Sequence, residues 1–389
     1  MTPTRWIVGC MTGTSLDGLD VALAEIHGTG LEMKTAFRGM VSIPLGDLAD
    51  ALRHFAEGRP AAPVDYLRAA RRLGELHADA VEVLCKTHLH RHHNLPEGPA
   101  SSVAGSERPS PKLDFIVAHG QTIWHAPAEH LSWQLFDPWP LVRRLQVPVC
   151  HDLRQADLIA GGQGAPISPI ADRVMYGPKK GIVNLGGICN ISDTADDVGD
   201  INGGDVYPCN ILIDGVIRLL YPSARFDKDG AIAASGCVRP AVVKALHESI
   251  RGAMVGKASL GREDFGEASL RRLVSEISRG NESRDIVASA VEAVAQQVAW
   301  FALASGLDEL VLAGGGAKNP VLVDRIRRNC GHTSPANIVR SDDLGMPCEA
   351  REAFAFAILG ALARDGVRIT FPRVTGSVNP GTAGAWVYP

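Results

Sequence analysis

The 389-residue chain carries 39 Lys and Arg against 43 Asp and Glu, for a formal net charge of −4, with 46% hydrophobic and 21% charged residues. This is the composition of an ordinary globular chain, and its slightly acidic balance excludes a global pull toward nucleic acid or an anionic membrane. Its length predicts two domains, because single cores stop growing at about 250–300 residues.

In chain order, residues 6–9 form a short apolar run that enters the turn-rich segment MTGTSLDGLD, and residues 21–26 form a second run. The pattern reads as strand, glycine hairpin, strand. Residues 31–37 alternate loosely and suit a third strand. Residues 64–84 carry helical spacing, with Leu67, Leu73, Leu76, Ala80, Val83 and Leu84 on one face. The following KTHLHRHHNLPEGPASSVAGSERPSPK is rich in Pro, Ser and Gly and reads as an exposed insertion. Its histidines His88, His90, His92 and His93 have no matching Cys or carboxylate partners there, so a solvated loop is expected.

Structure resumes with a predicted strand at residues 115–118, which delivers His119-Gly120-Gln121-Thr122 at its C-terminal end, where open α/β sheets place ligands. A helix at residues 141–145 and a strand at 147–150 lead into HDLRQADLIAGGQGAPISP, read as a long functional loop. The pattern restarts near residue 181. Residues 182–185 and 188–192 flank Gly186-Gly187 as a second strand, glycine turn, strand. Residues 309–313 later run into Gly314-Gly315-Gly316. Helices are predicted over 210–220, 285–304 and 350–363. In the second of these, Val287, Val291, Val294, Val298 and Phe301 form an apolar stripe. The two halves share one order of elements, so the expectation is a duplicated α/β fold with a cleft between lobes. The first lobe is placed at 1–135, with 366–389 free to return to it, and the second at 136–365.

The eight cysteines include no C-x-x-C pair, which argues against a zinc knuckle or dithiol motif and fits a reducing cytosol. No signal segment is read at the N-terminus, and no stretch is read as approaching the roughly 18 apolar residues of a membrane helix. A cytoplasmic protein is expected.

Four segments carry candidate chemistry. Gly13, Thr14, Ser15, Leu16, Asp17, Gly18, Leu19 and Asp20 form a hairpin whose glycines would let backbone amides approach a phosphate, with Asp17 suited to magnesium. The same residues equally suit a plain tight turn, and no Walker A loop is present. Asp205, in Gly203-Gly204-Asp205-Val206-Tyr207-Pro208-Cys209-Asn210, suits a general base held by its loop and by helix-terminal amides, or simply a turn with Asn210 as a cap. The turn at Gly314, Gly315 and Gly316, with Asn319 beyond it, would admit a flat adenosine against bare backbone. It is also what a strand-to-helix turn needs. Glu352 opens the last long helix, as a magnesium-facing carboxylate or as a complement to the helix dipole.

Together these stretches resemble the anhydro-N-acetylmuramic acid kinase family, which has the actin/hexokinase (ribonuclease H-like) fold and includes a relative acting on levoglucosan. The resemblance lies in GTSLDGLD, AHGQTIWH, DLRQADLIAGGQGAPISP, NLGGICNIS, DKDG, GREDF, LAGGGAKNP and LGMPCEAREAFAFAILG, spread in order across nearly the whole chain. It implies ATP and Mg²⁺ as cofactors, the hairpin at residues 13–20 as phosphate site, and Asp17 and Glu352 near magnesium. It implies Asn184, Gly186, Gly187, Gly314, Gly315, Gly316 and Asn319 as further nucleotide contacts. Asp205 becomes the catalytic base, and His119, Arg154 and Asn210 line the sugar pocket. The implied partners are a small sugar, ATP and a second copy of the chain. The family's usual D-T-G-P-G-N is here Asp205-Val206-Tyr207-Pro208-Cys209-Asn210, which adds bulk beside the base. That change keeps two alternatives open: a kinase for another 1,6-anhydro-sugar such as levoglucosan, and a non-catalytic nucleotide or sugar sensor.

Overall fold

A computed structural model describes residues 3–13, 16, 18–89, 112–254, 267–331 and 337–389. The chain divides into two compact units, Met1–Tyr176 with Ala350–Pro389, and Gly177–Glu349. The divisions therefore fall after Tyr176 and before Ala350, where 135 and 365 were expected.

The first unit opens with strands β1 (Thr4–Thr12), β2 (Gly18–His27) and β3 (Lys34–Pro44), then helices α1 (Leu48–Ala56) and α2 (Pro63–Leu84). β4 (Phe115–Ala118), the hairpin β5 (Gln121–Ala126) and β6 (Leu131–Leu135), α3 (Trp139–Leu145), β7 (Val149–His151), α4 (Gln155–Ile159) and α5 (Pro169–Tyr176) follow. β1, β2 and β3 form an antiparallel meander, and β4 and β7 extend β1 in parallel.

The second unit repeats this plan with β8 (Lys180–Leu185), β9 (Ile188–Asp193) and β10 (Asn202–Pro208). Helices α6 (Asn210–Leu220), α7 (Ala231–Ser235), α8 (Pro240–Met254), α9 (Glu267–Ile277) and α10 (Ser283–Ser305) precede β11 (Glu309–Ala313), α11 (Pro320–Cys330) and β12 (Asn337–Arg340). Here too the first three strands form an antiparallel meander and the last two extend the first in parallel, giving the order β10-β9-β8-β11-β12. The chain then returns to the first unit through α12 (Arg351–Arg364), α13 (Pro372–Thr375) and β13 (Ala385–Val387), and β13 pairs with β7 as a sixth strand. Two units with strand order 3-2-1-4-5, the second strand antiparallel to its neighbours, are the duplicated ribonuclease H-like fold of the actin/hexokinase type.

Helix α12 lies directly on the first sheet because small residues let it. A Cβ built on Gly9 of β1 would stand 2.5 Å from the Ala357 nitrogen, so only glycine admits the helix this close. Helix α10 carries the second core: Val287, Val291 and Val294 are fully buried and Val298 nearly so, while Phe301 is half-buried. This helix corrects the expectation that no stretch approaches membrane length. Its best window has a mean hydropathy of 1.5, but 67% of that window is buried inside the protein, as in a core helix.

The expected face of α2 also needs correction. Leu67 is 70% exposed and Val83 44%, while Ala69, Ala70, Leu73, His77, Ala78, Ala80, Val81 and Leu84 are buried. The helix packs through small residues that a count of large apolar ones overlooks. Beyond it, Cys85–Leu89 form a π-helical turn; His90, His92 and His93 lie outside the described residues.

His77 sits fully buried on α2, its ring 4.9 Å from Phe136, and its Nδ1 donates to the Leu73 carbonyl at 2.8 Å. Burial pushes this imidazole down to about 4. In the unfolded chain it titrates near 6.5, so between these values the unfolded state binds more protons. The neutral ring's contribution is therefore present above about pH 6.5 and lost as pH falls toward 4, by roughly 3 kcal/mol in all. His77→Phe should remove much of this acid sensitivity, read as a smaller drop in urea midpoint between pH 7 and pH 5.

Candidate active site

In the first unit the candidate residues collect at the C-terminal ends of the parallel strands β1, β4 and β7, the place where open α/β sheets bind ligands. The Thr12 hydroxyl, at the end of β1, donates to the Gly120 carbonyl at 2.6 Å, and the His119 amide donates to the Cys10 carbonyl at 3.0 Å. These bonds hold the hairpin's entry beside His119. Within the hairpin, Leu16 takes a left-handed φ of 59° and its amide donates to the Gly13 carbonyl at 3.2 Å. Leu16 and Leu19 put their side chains into the hydrophobic core, so only their backbone remains for a ligand. Gly18 and Asp20 lie in β2. Thr14, Ser15 and Asp17 lie outside the described residues.

His119 is 6% exposed and its ring packs on Phe356 with centroids 5.0 Å apart. The Arg154 guanidinium donates to its Nε2 from Nε at 3.1 Å and from Nη2 at 3.0 Å. Arginine can only donate, so Nε2 accepts and the ring proton sits on Nδ1. Burial, and then the Arg154 charge, hold His119 well below its ordinary range, so it is neutral. Burial also lowers Arg154 to about 10, with Glu352 and Asp157 opposing. Glu352 is exposed in the first turn of α12. The first unit thus brings His119, Arg154 and Glu352 into one neighbourhood.

Sequence reasoning missed what anchors Glu352. The preceding Arg351 is 2% exposed and its Nε donates to Asp172 Oδ1 of α5 at 3.0 Å, while its Nη2 donates to Oδ2 of the same carboxylate. No local signal could have paired residues 179 positions apart.

In the second unit the corresponding strand ends, of β8 and β11, carry the other candidates. Asn184 closes on Gly186 and Gly187, and Gly314 begins the turn after β11. These two turns and the start of α6 are tied together. The amides of Cys209 and Ile211 donate to the Gly187 carbonyl at 2.9 and 3.1 Å, and that of Asn210 to the Gly186 carbonyl at 3.1 Å. Asn210 Nδ2 donates to the Leu185 carbonyl at 3.1 Å. Asn319 N-caps α11, its Oδ1 accepting from Val321 and Leu322 at 3.1 and 3.2 Å. The DKDG segment reaches the same place, since a Cβ on Gly230 would stand 2.7 Å from Val321 Cγ2 and closer still to Asn319 Oδ1.

Gly314 is needed for two independent reasons. Its φ is 79°, and an added Cβ would stand 3.0 Å from the Leu185 backbone and closer still to Asn184 Oδ1. Gly314→Ala should therefore cost about 1–3 kcal/mol, measured by thermal unfolding.

Asp205 lies in a strand and not in the loop that was expected. It lies in β10, opposite Asn190. Long-range pairing with β9 overrides the turn character of Gly203-Gly204. Asn190 in turn faces Asn184. Directly paired residues share a sheet face about 5 Å apart, so Asn184, Asn190 and Asp205 form one polar row. Asn190 was not among the candidates, although it stands in the NLGGICNIS stretch. The register shifts between Asp205 and Tyr207, leaving Val206 as a bulge beside the carboxylate. The bulk noted at this loop goes inward: Tyr207 and Cys209 are buried in the second core, Val206 packs against it, and the Tyr207 hydroxyl is 3.0 Å from His247 Nδ1.

Comparison with known proteins gives this arrangement a family. The model of the family described as Anhydro-N-acetylmuramic acid kinase matches residues 5–389. The protein of that name from Synechococcus sp. (strain CC9605) is 33% identical over 403 residues, covering 98% of this chain and 99% of its own. Its namesake from Prochlorococcus marinus (strain MIT 9313) is 33% identical over 372 residues, covering 91% of each. Among solved structures, the (R)-2-hydroxyglutaryl-CoA dehydratase component A of Acidaminococcus fermentans covers 93% of this chain and 99% of its own, at 11% identity and a TM-score of 0.47. With a family match running through both α/β units, the chain belongs to the anhydro-N-acetylmuramic acid kinase family.

Proposed function

We propose that the protein phosphorylates O6 of 1,6-anhydro-N-acetylmuramic acid with ATP while water opens the anhydro bridge, giving N-acetylmuramic acid 6-phosphate and ADP. The observation that carries this reading is the family match through both units. Asp205 takes a proton from water as the water oxygen bonds to C1. The C1–O6 bond breaks, O6 takes the γ-phosphoryl group, and the bridging oxygen leaves with ADP. Phosphoryl transfer of this kind is mostly positioning and charge neutralisation. Backbone amides of the hairpin at residues 13–20 receive phosphate oxygens, and the turns at Asn184, Gly186, Gly187 and Gly314–Gly316, with Asn319 beyond, receive the nucleotide. His119, Arg154 and Asn210 bind the sugar; neutral His119 offers no charge of its own, and Arg154 supplies it.

Asp17 and Glu352 would hold magnesium. The donor set fits: Glu352 is an exposed carboxylate, and Mg²⁺ takes one or two carboxylates alongside phosphate oxygens and water. The ion would neutralise charge on the transferring group. All eight cysteines are free, which supports a reducing, cytoplasmic setting. A second copy of the chain is the expected partner, readable as twice 41.3 kDa by light scattering.

The test is ADP release by the purified protein with Mg-ATP and either 1,6-anhydro-N-acetylmuramic acid, levoglucosan or no sugar. Saturable turnover with the muramyl sugar is expected. Turnover with levoglucosan alone would move the substrate and keep the mechanism. Sugar-independent behaviour in all three would remove the kinase reading and leave a sensor.

A further inference from the structure

The loop that delivers Arg154 is fastened to the far end of the chain by buried hydrogen bonds. Arg154 Nη1 donates to the Gly164 carbonyl at 2.8 Å, and the Gly164 amide donates to Asp157 Oδ2 at 2.7 Å. The other oxygen of that carboxylate, Oδ1, accepts from the Thr375 hydroxyl at 2.7 Å, and Thr375 Oγ1 lies 3.0 Å from Ser377 Oγ. Asp157 and Thr375 are each 1% exposed and Ser377 is fully buried. Two backbone bonds run alongside: the Gln163 amide donates to the Thr375 carbonyl at 2.8 Å, and the Val378 amide to the Ala160 carbonyl at 2.9 Å. A Cβ on Gly162 would stand 2.6 Å from Asp157 Cγ and 2.7 Å from Ser377 Cβ, so the loop and the tail meet with no room for a side chain.

A plain structural staple would need only the backbone bonds. Here a buried carboxylate is spent on two donors, one from each segment. The arginine it steadies carries both hydrogen bonds to His119 Nε2. Asp157 is also close enough to favour the charged form of Arg154. An unpaired buried carboxylate would be costly, so the Thr375 hydroxyl and the Gly164 amide decide where Asp157, and through Gly164 the guanidinium, can rest.

We infer that Asp157 and Thr375 are positioning residues for sugar binding: they fix the Gly164 carbonyl that orients Arg154, and so hold the Arg154–His119 pair in its binding geometry. The inference rests on the reading of His119 and Arg154 as sugar-pocket residues. It gives residues 372–378 a direct influence on one substrate and not the other.

The experiment is steady-state kinetics with Mg-ATP and 1,6-anhydro-N-acetylmuramic acid on wild type, Thr375→Val, Thr375→Ser, Asp157→Asn and Arg154→Ala, with thermal midpoints for each. Thr375→Val should raise the sugar KM about tenfold, leave the ATP KM unchanged, and be rescued by Thr375→Ser. Should Thr375→Val fail to fold, Asp157→Asn is read by the same rule. An Arg154→Ala variant with unchanged sugar KM would sink the sugar-pocket reading itself. Raised sugar KM in Arg154→Ala but not in Thr375→Val or Asp157→Asn would overturn the positioning role alone. So would equal losses for both substrates that follow the thermal midpoint, because a merely structural staple acts through the folded fraction.

Discussion

Asp205→Asn should lower sugar-dependent ADP release by about 10²–10⁴-fold, the range for loss of a general base, with ATP affinity and thermal midpoint close to wild type. The substitution keeps the shape of the side chain and removes its ability to take a proton. The backbone at this position is held by the ladder between β10 and β9, with Asn190 opposite, and neither depends on the carboxylate's charge. A structural role would show otherwise: the midpoint would drop and ATP affinity would fall with it. Asp205→Glu gives a second reading. It keeps the base but moves it outward by about one methylene, and a misplacement near 1 Å can cost about 10²-fold. A glutamate variant as active as wild type would mean that Asp205 does not contact the attacking water, and the base would have to be sought elsewhere.

Much of this site was legible because its parts are local. A strand closing on glycines is visible within about ten residues, and β4 and β11 run over the segments read at 115–118 and 309–313. Helix α6 likewise covers the predicted segment, since its apolar residues repeat at helical spacing. What was not legible depends on distant pairing. Gly203, Gly204 and Pro208 all argue locally for a turn, and only β9 makes a strand of them. The unit boundary was placed 41 residues early, at 135 against 176, because the partners that tie residues 136–176 to the first unit lie far away in the chain. Those partners are the tail at Thr375 and Ser377, which closes on Asp157, and Arg351, which closes on Asp172 of α5. Both tie residues 152–176 to the first unit from the other end of the chain. The first turn of α12 shows the same limit from the other side. Glu352 could be singled out by its place at a helix start, but the buried arginine beside it could not.

Arg351→Met should destabilise the first unit by about 3–5 kcal/mol, the cost of breaking a buried pair by removing one partner. Asp172 is fully buried, so the substitution takes the guanidinium from a carboxylate that water cannot solvate. The double variant Arg351→Met/Asp172→Leu should recover most of the loss, because a buried ion pair barely outweighs its own desolvation. Tryptophan fluorescence makes this readable in the right unit: Trp6, Trp124, Trp133, Trp139 and Trp386 lie in the first unit and only Trp300 in the second. The urea midpoint seen by fluorescence should fall in the single variant and return in the double. Activity should divide the two differently. The pair fixes the residue before Glu352, so the double variant should regain stability yet keep a raised requirement for magnesium. If the double variant recovers both together, the pair serves the fold alone and Glu352 does not need it. If it recovers neither, the cost lies in the volume of the replaced side chains, and the electrostatic account of this contact is wrong.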